Sequence, residues 1–261
     1  MGEHHIFAAI PASGGLGANV ARSLAQGRGL LAQAGYGAPV LGPIASGGVH
    51  VDETIFAKPI AGLSGFFTHI QRRARHFSSN LSTPVGRLVL PVVAYDDYFP
   101  ALWRHQAQRR AVEDFATLAP ELAALRRGWV EIVRELIAAL SPREVVILPA
   151  PTGVAEVLTA LVPGAAIEAR PGQGREMPDT ALAMLQRLYR SGVEISPQQV
   201  ARLTAFHARQ PQPAPIAAFA PLEGALLRRR FQRDLATLAA MPGVRIGLAE
   251  SAPERFAIAA E

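Results

Sequence analysis

The sequence predicts an α/β protein, with a P-loop-like parallel sheet flanked by helices in three layers and a helical C-terminal part. Three observations carry this. Short apolar runs at 5–10, 87–94 and 144–148 have the length and side-chain bulk of buried strands. Longer stretches of helical periodicity stand between them. The resulting order of strand, helix, strand, helix, helix, strand needs crossover connections, and crossovers place helices on the faces of a parallel sheet.

The first strand, 5–10, ends at a Pro/Gly turn. The segment 18–34 reads as a helix, with Val20, Leu24, Leu30 and Leu31 forming its apolar stripe. "GYGAPVLGPIASGG", 35–48, is rich in breakers and reads as a loop over the top of the sheet. A helix with a basic face is expected over 66–77. The strand 87–94 contains Pro91, which predicts a bulge or an edge position. Asp96 and Asp97 open a helix reaching about Arg110, with acidic residues where the helix dipole favours them. A long amphipathic helix is expected over 121–140, then the strand 144–148. Beyond residue 150 strand signals fade, and helices are expected at 152–162, 179–191, 196–208 and 221–240. With no internal repeat, residues 1–261 read as one domain whose portion from 150 onward is mostly helical.

Composition narrows the chemistry. The chain has 261 residues, 49% of them hydrophobic and 18% charged, as in ordinary soluble globular proteins. No apolar run approaches the roughly 20 residues of a membrane span. The N-terminus lacks a basic signal-peptide region, so a cytoplasmic location is expected. Without cysteine, disulfides, thiolate metal sites and cysteine nucleophiles are excluded. Histidines stand at 4, 5, 50, 69, 76, 105 and 207, none in an H-x-x-x-H pair, so no metal is expected. The net charge of +5 rests almost wholly on arginine, since Lys58 is the single lysine. The arginines fall in small clusters, 72–75 and 228–230, which read as solvated helix faces and not as a nucleic-acid stripe.

The most enzyme-like stretch is "IPASGGLGANVARSLA", 10–25. Glycines at a turn before a helix let backbone N–H groups approach a phosphate at the helix N-terminus. The loop resembles three nucleotide-binding types. Against the short-chain dehydrogenase fingerprint, the first glycine falls at Pro11. The Tyr-x-x-x-Lys pair of that family is missing too, because Thr54 lies four residues before Lys58. Against deviant Walker-type ATPases, both lysines and the metal-binding threonine are replaced, by Ser13, Ala18 and Asn19.

The third resemblance runs over most of the chain, in order, to bacterial proteins of the sulfotransferase family. "ARSLAQGRGLLAQAGY" is similar to that family's first helix, and "VVAYDDYFPALWRH" to its second signature. "RRGWVEIVRELIAAL" with "REVVILP" resembles its next helix and strand. "LLRRRFQRDLATLAAMPGV" resembles its last helix, with Phe231 at a usual tyrosine position. The resemblance implies a site for 3′-phosphoadenosine 5′-phosphosulfate (PAPS) formed by Ser13, Gly14, Gly15, Leu16, Gly17, Ala18 and Asn19. It also implies departures. The family's basic loop residue falls on Gly14, its threonines on Gly15, Gly17 and Ala18, and its glycine on Leu16. Its 3′-phosphate arginine and serine fall on Val93 and Ala101, while Tyr95, Asp96, Leu102 and Trp103 are retained.

The expected general base is His50, with Asp52 and Glu53 as neighbouring alternatives. Trp103 and Trp129 are expected in the core. The expected function is a sulfotransferase-like protein with an eroded PAPS site, weak or non-catalytic, linked to surface polysaccharide modification. Its expected partner is a carbohydrate or small-molecule acceptor, with no nucleic acid. Two alternatives stand beside it. One is an active sulfotransferase using replacement cations such as Arg22, Arg170 or the 72–75 arginines. The other is a nucleotide-binding regulator relying on backbone amides.

Overall fold

The computed structural model describes residues 2–37, 48–56, 65–170, 172, 176–211 and 213–248. Five parallel strands, β1 (His4–Ala8), β2 (Val49–Asp52), β3 (Val85–Val92), β4 (Glu144–Pro149) and β5 (Val244–Ile246), form one sheet in the order β2-β1-β3-β4-β5. The α/β class and parallel sheet are those the sequence predicts. The strand order reverses between β1 and β3, and the crevice beyond their C-terminal ends is where open α/β sheets place ligands.

Helices α1 (Leu16–Gln26), α2 (Arg28–Gln33) and α7 (Val154–Leu161) cover one face. The other face carries α3 (Ile70–Ser78), α4 (Tyr95–Ala107), α5 (Phe115–Ala124), α6 (Trp129–Leu140), α8 (Asp179–Arg190) and α10 (Pro221–Ala239). Helix α9 (Pro197–His207) packs against α8 and buries no residue completely. Its start is written in the sequence: Ser196 accepts from the Gln199 N–H while the Gln199 side chain accepts from the Ser196 N–H, with Pro197 at the first helical position. No helix of the described residues is long and apolar enough to cross a membrane.

Alternation along the central strands feeds two cores. Leu88, Leu90 and Val92 of β3 point to the larger one, and Val89 points to the core under α1 and α7. Trp129 and Trp103 are buried in the larger core, as expected for residues at helical spacing. Tyr95 ties it together. Its hydroxyl donates to Asp234, accepts the Trp129 N–H at 2.7 Å, and its ring lies under the Arg230 guanidinium.

Four local expectations are corrected. The helix expected over 18–34 is two helices broken at Gly27, where a Cβ would meet Ile167 at 3.0 Å. The helix expected over 121–140 is also two, α5 and α6. They part at Gly128, where a side chain would run into Tyr95, Arg230 and Asp234. Pro91 lies neither at an edge nor at a bulge. It sits in the central strand opposite Leu148, and pairing with β1 has already ended at Val89 opposite Phe7, so its missing N–H is not called for on that side. The bulge lies earlier, at Gly86. Finally, two strands go beyond the sequence expectation: β2, whose four residues alternate with a histidine and an aspartate, and β5, whose three half-buried residues offer no apolar run to detect. The loop expected over 35–48 falls largely outside the described residues.

Candidate functional site

The β1–α1 loop turns through left-handed backbone at Ala12 (φ 60°), Gly14 (φ 63°) and Gly15 (φ 80°) before α1 begins. Glycine suits two of these positions, and Ala12 bears a small steric cost. The loop's own groups are largely spent on its shape. The Ser13 hydroxyl donates to the Ile10 carbonyl at 2.9 Å, and the Tyr98 hydroxyl donates to the Pro11 carbonyl at 3.2 Å. The Leu16 N–H returns to the Ser13 carbonyl.

Helix α1 has no acidic residue in its first turn and no side-chain cap. Its positive end is met instead from the residue that follows β2. A Cβ at Gly17 would lie 2.7 Å from the Glu53 carboxylate and 2.8 Å from the Ala9 methyl. The Glu53 carboxylate therefore lies against the backbone of the first turn of α1, where the dipole favours negative charge. The Ala9 methyl, which cannot swing aside as the exposed Glu53 side chain can, is what favours glycine at residue 17.

Two cavities adjoin here and share Gly17 and Glu53. The first, about 630 Å³, lies over the loop, bounded by Ser13, Gly14 and Gly15 on one side and by α4 on the other. The cations on that side are Arg104 of α4 and Arg109 just past its end, opposed by Glu53 and Glu176. Arg104 is engaged by Asp179 and by the Met177 carbonyl, and Arg109 donates to the carbonyl of His105. Burial lowers the pKa of His105, and the nearby Arg109 charge adds to this, so its imidazole stays neutral at pH 7. The second cavity, about 900 Å³, wraps the outer edge of β2 between α1 and α3.

The expected site residues separate between these spaces. Ser13, Gly14, Gly15 and Gly17 line the loop cavity together with Ala101. Leu16 points into the core under α1. Ala18 faces the second cavity, and Asn19 packs against Gly172 and accepts from Arg22. His50, expected to face the loop, is buried on β2 and lines the second cavity. Its Nε2 lies 2.8 Å from Nδ1 of His4, whose own Nε2 is buried with no hydrogen-bond partner among the described residues. An N–H on His4 Nδ1 leaves that orphan nitrogen as a bare lone pair, the cheaper arrangement. Burial, reinforced by His4, pushes the His50 pKa down to about 4, which makes it a weak base. Asp52 is consumed by the Thr54 N–H and hydroxyl and by the Ile55 N–H.

None of the anticipated replacement cations reaches the loop cavity. Arg22 bonds Asn19, Arg170 pairs with Glu168, and Arg72 and Arg73 line the second cavity. The residues that do reach it, Arg104 and His105 in the last turn of α4 and Arg109 just beyond it, lie some ninety residues from the loop in sequence. Helical spacing from Ala101 is the one signal that would have pointed to them. Among the described residues, no group of three histidine or carboxylate side chains is placed to hold a metal. Comparisons with protein-family models, with curated proteins and with solved structures find no match to this chain.

Proposed function

We propose that this is a sulfotransferase-like protein whose donor site no longer holds PAPS, and that it acts by binding a carbohydrate or small-molecule partner instead of by sulfuryl transfer. One observation carries the reading: the Glu53 carboxylate lies against Gly17 at the N-terminus of α1. A helix N-terminus holds a phosphate through its dipole and free N–H groups. A resident carboxylate takes up that potential and repels an arriving anion. Three further facts support the reading. The loop itself carries no cation, Ser13 is turned to its own backbone, and the cavity wall opposite shows Ala101 in place of a hydroxyl. Isothermal titration with 3′-phosphoadenosine 5′-phosphate tests it. No binding in the micromolar range is expected, and a micromolar Kd would overturn the proposal.

A second reading, active transfer with replacement ligands, draws on Arg104 and Arg109 facing the loop. The same titration decides against it unless Arg109→Ala abolishes a binding that the native chain possesses.

A further inference from the structure

The second cavity is the larger of the two and differs from the first in chemistry. Its walls are mostly apolar, built from Ala18 and Ala21 of α1, Val51 of β2, and Phe77 and Leu81 at the end of α3. Its floor includes His50, held neutral at pH 7 by burial and bonded to His4. A volume of about 900 Å³ lies within the range of small-molecule sites.

Charge is distributed unevenly around it. Helix α3, "IQRRARHFS", carries three arginines and a histidine and no acidic residue of its own. Arg72 and His76 are exposed at the cavity's α3 rim, with Asn80 beside them. Two carboxylates also line the cavity: Asp52, taken up by Thr54 and Ile55, and Glu53, which stands at the opposite, α1 side. An anionic head is therefore attracted to the α3 rim and repelled from the α1 end. The apolar walls between them take a hydrocarbon or aryl body.

We propose that this cavity binds an amphipathic organic anion, with its acid group at Arg72, His76 and Asn80 and its apolar body along Ala21, Val51 and Phe77. The site is separate from the donor-site reading, and either proposal stands if the other fails. The charge asymmetry specifies which end of the ligand faces which helix, and it separates an anion from a neutral lipid-like molecule of the same length.

The test is isothermal titration of the full chain with decanoate and with decanol at low ionic strength. Decanoate is expected to bind at least about fivefold more tightly than decanol, the upper range of an exposed ion pair. Arg72→Glu is expected to weaken decanoate roughly fivefold while leaving decanol unchanged. Ala18→Trp fills the cavity from an exposed position on α1 and is expected to weaken both ligands roughly tenfold or more. Asn80→Trp, exposed on the opposite wall, provides the same block if the first variant misfolds by circular dichroism. Absence of decanoate binding, equal affinity for decanol, or native affinity in a folded blocking variant would each overturn the proposal.

Discussion

Glu53 and Tyr95 show how single side chains decide this molecule's properties. Glu53, just past the end of β2, supplies the negative charge that α1 lacks in its own first turn. Glu53→Gln is therefore expected to raise the affinity of the loop cavity for inorganic sulfate by roughly two- to fivefold, as helix-terminus terms of about 0.3–1 kcal/mol convert. Titration of both proteins with sulfate checks this, and an unchanged affinity would remove Glu53 from the account. Tyr95 is buried, and its phenol pKa is raised by burial and by the Asp234 carboxylate it donates to, so it serves as a fixed neutral bridge. Tyr95→Phe leaves the Trp129 N–H and Asp234 without that partner. A loss of roughly 1–3 kcal/mol in urea unfolding is expected. The resemblance drawn from the sequence singles out Tyr95 and Asp96. It does not mark Asp234, because a carboxylate on a helix face reads as solvated until its partner is known.

At the scale of elements, helix breaks and helix ends are where local pattern and packing part company. Periodicity runs through Gly27 and through 125–128, yet the chain bends at both because neighbouring side chains occupy the space a Cβ needs. Gly128→Ala is expected to destabilise by about 1–3 kcal/mol, because it displaces the Tyr95–Arg230–Asp234 cluster and puts alanine, a poor cap, at the N-cap of α6. A rise in stability would refute the packing explanation. Gln186, on α8, is a further such tie. Its buried amide serves the carbonyls of Ala107 and Arg110 and the N–H of Val112, closing the C-terminal end of α4. Gln186→Leu strands those backbone groups, and a loss of roughly 2–4 kcal/mol is expected, read by denaturant midpoint at unchanged m-value. The expected strands 87–94 and 144–148 match β3 and β4 closely, since a dense apolar run is legible wherever it is buried on both sides. Strand β5 is not legible, because an edge strand of three residues depends on its neighbour β4 for its existence.

For the whole molecule, the His4–His50 pair couples stability to pH. Burial lowers the pKa of both in the folded state, His50 to about 4, below an unfolded value near 6.5. The unfolded chain therefore takes up protons first as pH falls. The stability the pair permits is complete above about pH 6.5 and is lost toward pH 4, by up to roughly 1.4 kcal/mol per pH unit for each proton. His5 and His105 shift in the same direction and add to the slope. Replacing both partners, His4→Phe with His50→Leu, is expected to flatten stability between pH 5 and 6.5, measured by urea unfolding at each pH. An unchanged slope would assign the effect elsewhere. By itself the sequence determined the α/β class, the central strands, most helix positions, the buried tryptophans and a glycine-rich loop without cations, because periodicity, burial and residue type are local properties. Only the tertiary structure decided what meets that loop. Glu53 arrives from just beyond β2, Arg104 and Arg109 arrive from the C-terminal end of α4 and just past it, and His50 turns away to pair with His4. Those meetings join residues tens of positions apart, and they are set by strand order and crossover geometry, which no local pattern encodes.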